Sequence, residues 1–495
     1  VLRGIPAHVG ALRLLGRLRY EMGDRAGAAS CFESLVAALP DDAAALNDLA
    51  CVRLDQGRAA EALDLLDRAL AAAPGNADIA FTRGNALLEL GRAAEAAESY
   101  RAAAPGLAES GLLANNLARA LLETGDRAGA EAAFRRATEC APDLALAHAN
   151  LGMLLQQDGR PAEAAAAFRA ALAIDPAGAE TWNNLATALF DCDAPDEAMD
   201  CLDRALTLRP DFVLAHFNRG NALVKLHRAE AAVSCYEAAL AIQPDYHEAA
   251  HNLGGALMML VRPADAVPVF RAARRTQDDA RALFAEGLAC LTLGDLPAGF
   301  ELYEARLRLD DISPLNPRHT IRPRWHGDAE VRDRRIVLHA EQGLGDTVQF
   351  CRYAPIIAAR GAQVLLEAPM PLLPLLETLP GVAAFIPTGE DLPEFDLYCP
   401  MMSLPRACGT TLETVPGAVP YLREQQYRVA RWALEMTWDG RPRVGIAWSG
   451  NPGFGNDRNR SIPLEAFGPL REAGVSLFVV QRDVREADRA VLSTW

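Results

Sequence analysis

Residues 143–176 read DLALAHANLGMLLQQDGRPAEAAAAFRAALAIDP, and residues 177–210 restate the pattern as AGAETWNNLATALFDCDAPDEAMDCLDRALTLRP, one 34-residue period later. Each stretch closes on a proline, Pro176 and Pro210. The same register carries Pro6, Pro40, Pro74, Pro142 and Pro244, with Ala108 in the one gap. Within it, alanine recurs at Ala28, Ala62, Ala96, Ala130, Ala164, Ala198, Ala232 and Ala266. A large residue follows four positions on, at Phe32, Leu66, Tyr100, Phe134, Phe168, Leu202, Tyr236 and Phe270. Four residues are one helical turn, so small and large share a face. Small residues also stand at Gly16, Ala50, Gly84, Ala118, Gly152, Ala186, Gly220 and Gly254, where a first helix must approach a second closely. Gly23, Gly57, Gly91, Gly125 and Gly159 mark the turn between them. Glycine suits a left-handed turn because it has no Cβ, and proline ends the second helix because it has no N–H for the ladder.

The unit is therefore a helical hairpin, and its repetition predicts an α-solenoid. Period, small residues and terminal proline together resemble the tetratricopeptide repeat family over roughly residues 7–278. Gly287, Gly294 and Tyr303 echo the pattern one residue out of register, extending the array over residues 1–311.

First helices of such a stack line one continuous wall, and asparagine recurs on it at Asn116, Asn150, Asn184, Asn218 and Asn252, preceded in register by Asp48 and Thr82. A side-chain amide both donates and accepts, which matches an extended peptide backbone of any sequence. The row resembles the groove of the protein O-linked N-acetylglucosamine transferases, and the resemblance implies a polypeptide acceptor. The alternative is that these amides hydrogen-bond between neighbouring hairpins. His148, His216 and His251 do not converge as metal ligands would, and read as packed or solvent-facing side chains.

Beyond residue 311 the periodicity stops. Prolines at 314, 317 and 323, with Trp325 and Gly327, read as a strap over residues 312–335. Strand-like runs at Arg335–His339, Gln363–Glu367, Val382–Ile386 and Phe395–Tyr398 alternate with helical stretches, including Pro371–Leu379, and imply a parallel sheet over residues 336–425. A connecting helix and a second α/β unit follow in residues 426–495, with strands at Arg443–Trp448 and Val475–Val480.

Glu341-Gln342-Gly343-Leu344-Gly345-Asp346 joins the first of these strands to its helix. As a dinucleotide fingerprint it supplies Gly343 and Gly345, with Glu367 where a ribose-binding acid stands, but Val348 replaces the third glycine; as a P-loop it lacks the Gly-Lys-Ser/Thr ending. The strand, the Gly-Leu-Gly-Asp-Thr turn and its helix also resemble the heptosyltransferase-like glycosyltransferases. That resemblance implies a Rossmann-like GT-B architecture, a nucleotide-sugar donor in place of a cofactor, no metal, inverting transfer and Asp346 as catalytic base. Capping of the adjoining helix is the plainer role for Asp346. Ser449, Gly450 and Asn451, with Arg460 shortly after, resemble the opening of the donor-binding lobe, implying contacts to a diphosphate. On this reading the donor lobe is cut short at Trp495. The resulting expectation is a glycosyltransferase whose repeats hold a protein acceptor. Its rivals are a non-catalytic scaffold with a degenerate transferase lobe and an NAD-dependent oxidoreductase.

Composition narrows the field. With 495 residues, 51% hydrophobic but only 6% aromatic, the chain exceeds one core and favours Ala/Leu helix packing. A net charge of -16 disfavours sequence-independent binding to nucleic acid or anionic lipid. Ten cysteines at irregular intervals, without a Cys-x-x-Cys pair, read as reduced core residues. No apolar run reaches the roughly 20 residues of a membrane span and no signal peptide stands out, so a cytoplasmic location is expected.

Overall fold

The computed structural model describes residues 8–274, 279–313, 316–436, 439–450, 457, 460–481 and 483–495. The chain forms two compact units, Val1–Leu309 and Asp310–Trp495.

The first unit is a run of helical hairpins. The pairs begin with Val9–Glu21 and Arg25–Ala38, then Ala43–Asp55 and Ala59–Ala72, and proceed in register to His247–Met259 and Pro263–Ala273. An out-of-register hairpin, Ala280–Thr292 with Leu296–Tyr303, follows. Proline ends the second helices as its chemistry requires: Arg25–Ala38 stops two residues before Pro40, with Leu39 already extended. In the repeat with Ala108 in the gap, Pro105 takes over and shortens the helix to Ala93–Ala103.

The small positions explain the close approach. A Cβ on Gly16, Gly84, Gly152, Gly220 or Gly254 would come within 2.4–2.7 Å of the ring of Phe32, Tyr100, Phe168, Tyr236 or Phe270, respectively. Where the small residue is Ala50 or Ala186, the large one is Leu66 or Leu202; Ala118 beside Phe134 is the exception. The large residues are at most 2% exposed. The turn is left-handed in every in-register repeat, on glycine as far as Gly159 (φ 71°) and then on Asp193 (58°), His227 (57°) and Val261 (56°). A β-branched residue there is strained. Six of the cysteines are buried, but Cys192 is exposed, against the expectation that all pack in cores.

In the second unit, β1 (Arg335–His339), β2 (Gln363–Ala368), β3 (Val382–Pro387) and β4 (Leu397–Pro400) form a parallel sheet in the order β3-β2-β1-β4. Ile336, Leu338, Val364, Leu366 and Cys399 face one buried layer with Trp325 and Ile357; Val337, Leu365, Ile386 and Tyr398 face another. Burial on both faces is the usual condition of parallel strands. A separate parallel pair joins β5 (Arg443–Ile446) to β6 (Ser476–Val479). The strap docks on the sheet edge, with Trp325 donating its backbone N–H to Tyr398 O at 2.8 Å and its indole N–H to Ala329 O at 3.0 Å.

The strands expected over Arg443–Trp448 and Val475–Val480 are shorter, Arg443–Ile446 and Ser476–Val479, and three other boundaries differ from expectation for local reasons. The helix expected over Pro371–Leu379 is one 3₁₀ turn, Met370–Leu372, and a short helix, Leu373–Leu376, because Pro371 and Pro374 cannot donate to a continuous ladder. The stretch after the glycine turn breaks at Cys351–Tyr353, ahead of Pro355. The last strand of the sheet begins at Leu397, after Asp396 accepts the Arg335 N–H at 2.8 Å.

Candidate functional site: the first-helix face and its amide network

All five ladder asparagines are half-buried, and four donate to the preceding hairpin. Asn116 Nδ2 donates to Asn85 Oδ1 (3.0 Å), Asn150 to Asn115 (2.8 Å), Asn218 to Asn183 (2.8 Å) and Asn252 to Asn221 (2.7 Å). Asn184 accepts from Asn183 Nδ2 at 3.4 Å, and Asn116 from Asn115 Nδ2 at 3.1 Å. Asn115 and Asn183 are 0% and 1% exposed, so these bonds satisfy amides that water cannot reach. The row thus fastens hairpin to hairpin. It retains capacity as well: Asn150 and Asn218 each have a second N–H, and among the described residues no donor sits on Oδ1 of Asn150, Asn218 or Asn252, whereas Asn116 and Asn252 also donate to Tyr100 and Tyr236.

Two tyrosines complete the network. Tyr100 OH donates to Asn85 Oδ1 and Tyr236 OH to Asn221 Oδ1, each at 2.8 Å. Burial raises the pKa of both phenols, which keeps them protonated donors. None of Tyr100, Tyr236, Asn85, Asn115, Asn183 and Asn221 was legible as a functional residue in the single-repeat pattern. The available signal was joint: among the in-register repeats tyrosine occupies the large position twice, and in both cases asparagine stands three residues beyond the ladder position.

Two residues before the ladder position, on another side of the first helix, stands a repeated loop clamp. His148 Nε2 lies 3.1 Å from Pro142 O, His216 Nε2 lies 2.9 Å from Pro210 O, and Trp182 Nε1 donates to Pro176 O at 2.9 Å. His251 instead packs edge-on against Phe270, 5.7 Å between centroids, and its burial lowers its pKa. Two cavities open on the face that carries the asparagine row. One of ≈ 460 Å³ is lined by Tyr100, Asn85, Asn116 and the charged Glu89, Arg119 and Glu123. The other, of ≈ 400 Å³, is lined by Tyr236, Asn221, Asn252, His251, Met258 and Met259.

In the second unit, Gly343, Gly345 and Asp346 stand at the carboxyl end of β1. Asp346 Oδ2 accepts the Gly343 N–H at 3.0 Å and so caps the helix Leu344–Phe350. Glu367 is not placed for a ribose: it is 1% exposed, its carboxylate lies 2.5 Å from His319 Nε2 and 3.6 Å from Arg318, and His319 stacks on His339 at 4.0 Å. The dinucleotide reading loses its acid there. After β5, the Ser449 N–H goes to Gln481 Oε1 (3.0 Å) and the Gly450 N–H to Ser461 Oγ (3.2 Å), so both backbone donors are engaged. Arg460 is exposed beside them, and Asn451 lies outside the described residues. Among the described residues no hydrogen bond or ion pair links the Gly343–Asp346 turn to the Ser449–Arg460 segment. No group of three or more His, Cys, Asp or Glu side chains among them is arranged to hold a metal ion.

A run of in-register helical hairpins with a polar network along one face defines a helical-repeat protein of the solenoid class. The tetratricopeptide repeat profile matches residues 13–77, 47–111, 81–145, 115–179, 217–280 and 260–317, and a second tetratricopeptide repeat profile matches residues 155–216. The chain belongs to the tetratricopeptide repeat family. Protein FlbA of Caulobacter vibrioides (strain ATCC 19089 / CIP 103742 / CB 15) is 30% identical over 194 residues, 35% of this chain and 32% of FlbA, so the match spans about a third of that relative. Solved structures with similarity include YrrB, a TPR protein with an unusual peptide-binding site (24% identity, 38% of this chain, 96% of YrrB, TM-score 0.33). PilW, a type IV pilus biogenesis factor, is 25% identical over 42% of this chain and 95% of its own, with TM-score 0.38.

Proposed function

We propose that the chain is a protein-interaction scaffold whose first-helix face holds an extended segment of a partner polypeptide. The observation that carries this reading is the pair of cavities on that face, each floored by a tyrosine–asparagine network whose remaining amide capacity points to a backbone ligand. Each net hydrogen bond contributes only about 0.5–1.5 kcal/mol, so several must act together. The test is selection of a random 16-residue peptide library on the whole chain. Enriched peptides should lose roughly tenfold in affinity when Leu88→Trp or Val224→Trp fills a cavity, and nothing when Glu98→Arg alters an exposed residue of a second helix. Absence of any enriched peptide, or indifference to both tryptophans, refutes the reading.

A second reading rests on the strand order. In β3-β2-β1-β4 the order reverses between β1 and β4. Parallel sheets bind ligands beyond the carboxyl ends of strands at such a switch point, where the Gly343–Asp346 turn follows β1. There Asp346 would remove the proton of an acceptor hydroxyl as a sugar leaves a nucleotide, with Gly343 and Gly345 close by and Ser449, Gly450, Asn451 and Arg460 on the donor side. UDP-, GDP-, ADP- and CMP-sugars offered to the protein should be hydrolysed or transferred, and Asp346→Asn should abolish this. Turnover undiminished in Asp346→Asn removes the residue from the mechanism; no turnover with any donor leaves the scaffold reading standing alone.

A further inference from the structure

The two cavities are one design built twice. Phe81, Gly84, Asn85, Tyr100 and Asn116 recur 136 residues later as Phe217, Gly220, Asn221, Tyr236 and Asn252, a displacement of four repeats. Geometry recurs with sequence: the Phe81–Tyr100 and Phe217–Tyr236 centroids are 5.8 and 6.0 Å apart, tilted by 48° and 54°, and the hydrogen bonds of the two networks agree within 0.3 Å. The rims do not recur. Arg119 and Glu123 of the first cavity become Gly255 and Met259 in the second, and Glu89 becomes Lys225, which lies over Phe190 at 5.5 Å. Three carboxylates, Asp55, Glu89 and Glu123, face one guanidinium, Arg119, in the first. Asp55 is paired with Arg25 at 2.6 Å, whereas Glu89 and Glu123 are exposed and have no ion-pair partner among the described residues. The second cavity offers Met258, Met259, Phe270 and Leu288.

We propose that the groove reads one extended partner segment at two points, taking a lysine or arginine side chain in the first cavity and a large apolar side chain in the second. This rests on the scaffold reading and specifies its partner. In the first cavity a cation meets the half-buried Phe81 and two carboxylates without an ion-pair partner among the described residues, which outnumber Arg119 on the same rim, an arrangement that rewards positive charge. In the second, thioethers and a ring reward apolar burial and adapt to its shape. The tyrosine–asparagine floor common to both holds backbone. Successive first helices touch. At about 9 Å per helix contact, four repeats place the cavities roughly 36 Å apart. An extended chain at about 3.3 Å per residue covers this with roughly 11 residues.

The experiment is to sequence the peptides selected from the random 16-residue library on three forms of the whole chain: unaltered, Glu89→Gln/Glu123→Gln, and Met259→Glu. The unaltered chain should enrich a basic residue roughly 11 positions from a large apolar one. The glutamine variant should lose the basic preference alone, weakening the best peptide about tenfold and flattening its salt dependence; the Met259→Glu variant should lose the apolar preference alone. Glu89 and Glu123 are exposed, so an unchanged thermal melt by circular dichroism confirms that the fold survives. Enrichment of peptides without the paired preferences, or loss of both preferences in either variant, overturns the two-point reading while leaving polypeptide binding intact. No enrichment at all overturns both.

Discussion

Helix His247–Met259 carries two adjacent glycines, and the structure assigns opposite outcomes to the same substitution at each. A Cβ on Gly254 would lie 2.4, 2.6 and 2.7 Å from three carbons of the Phe270 ring, whereas a Cβ on Gly255 meets nothing within 4 Å. Carbon pairs prefer about 3.5–4.0 Å, so the ring must retreat by about 1 Å. Phe270 is 2% exposed and has nowhere free to go. Such overpacking costs about 1–3 kcal/mol, against a helix-propensity gain of up to about 1 kcal/mol for replacing glycine by alanine. Gly255→Ala keeps the gain without the clash and should stabilise by up to about 1 kcal/mol. The two variants should therefore differ by about 1–3 kcal/mol, the packing cost alone. Ala118 beside Phe134 shows that a hairpin can accommodate this pair, which places the difference toward the lower end. Urea unfolding followed by circular dichroism at 222 nm measures it as a shift in midpoint, provided the slope is unchanged. Equal midpoints for the two variants, or a stabilising Gly254→Ala, would refute the small-against-large account of the array. Phe270→Leu should relieve Gly254→Ala, because Ala50 with Leu66 and Ala186 with Leu202 already use that pairing, and the coupling appears in a double-mutant cycle.

Other consequences are as direct. Val261→Gly removes a left-handed β-branched residue (φ 56°) from an exposed turn and should stabilise the array by about 1–2 kcal/mol, read by the same denaturation. Asn115→Ala strips the buried acceptor from Asn150 and should cost about 1–3 kcal/mol, while Asn184→Ala, which loses only the long 3.4 Å bond from Asn183, should cost less. Burial depresses the pKa of His251, so the unfolded chain binds the proton more readily; the stability this confers is complete above pH 6.5 and falls as the pH drops below it. The Tm difference between wild type and His251→Gln should therefore change between pH 7.5 and 5.5, and a constant difference would show that the imidazole does not titrate on unfolding. For Glu367, burial raises the pKa but the hydrogen bond from His319 and neighbouring positive charges outweigh it, leaving it below 4.5. That stability is present above pH 4.5 and lost as the pH falls through the folded value, so Glu367→Gln should flatten the acid limb of the second unit's unfolding.

The parts of the fold that were legible in sequence are those that repeat within one hairpin. Gly84 and Tyr100 are 16 residues apart and recur at fixed spacing, so periodicity alone pairs them. Asn150 and Asn115 are 35 apart and Asn116 and Asn85 are 31 apart, one period plus one and one period less three; contacts between hairpins use one offset or the other, and a single-repeat consensus averages them away. In the second unit β1 and β2 stood out as β-branched and leucine-rich runs, and a small parallel sheet followed. The short helices did not, because Pro355, Pro371 and Pro374 cut what apolar spacing alone reads as continuous. The His319–Glu367 pair brings together residues 48 positions apart from strap and strand, and no local pattern encodes it. Asp346 was legible as a helix cap from its position after Gly343, and the structure gives it that bond.

The recurrence of the Tyr100 network at Tyr236 also bears on how the array can change length. A chain running from Gly84 directly into Asn221 would lose residues 85–220, four whole hairpins, yet the network at the joint would be rebuilt: Phe81 would meet Tyr236 and Asn221 would still receive Asn252, with Lys225 in place of Glu89. A four-hairpin block cut at this network is thus an interchangeable part, and removing or duplicating it would shorten or extend the array without redesigning the tyrosine–asparagine network at the joint.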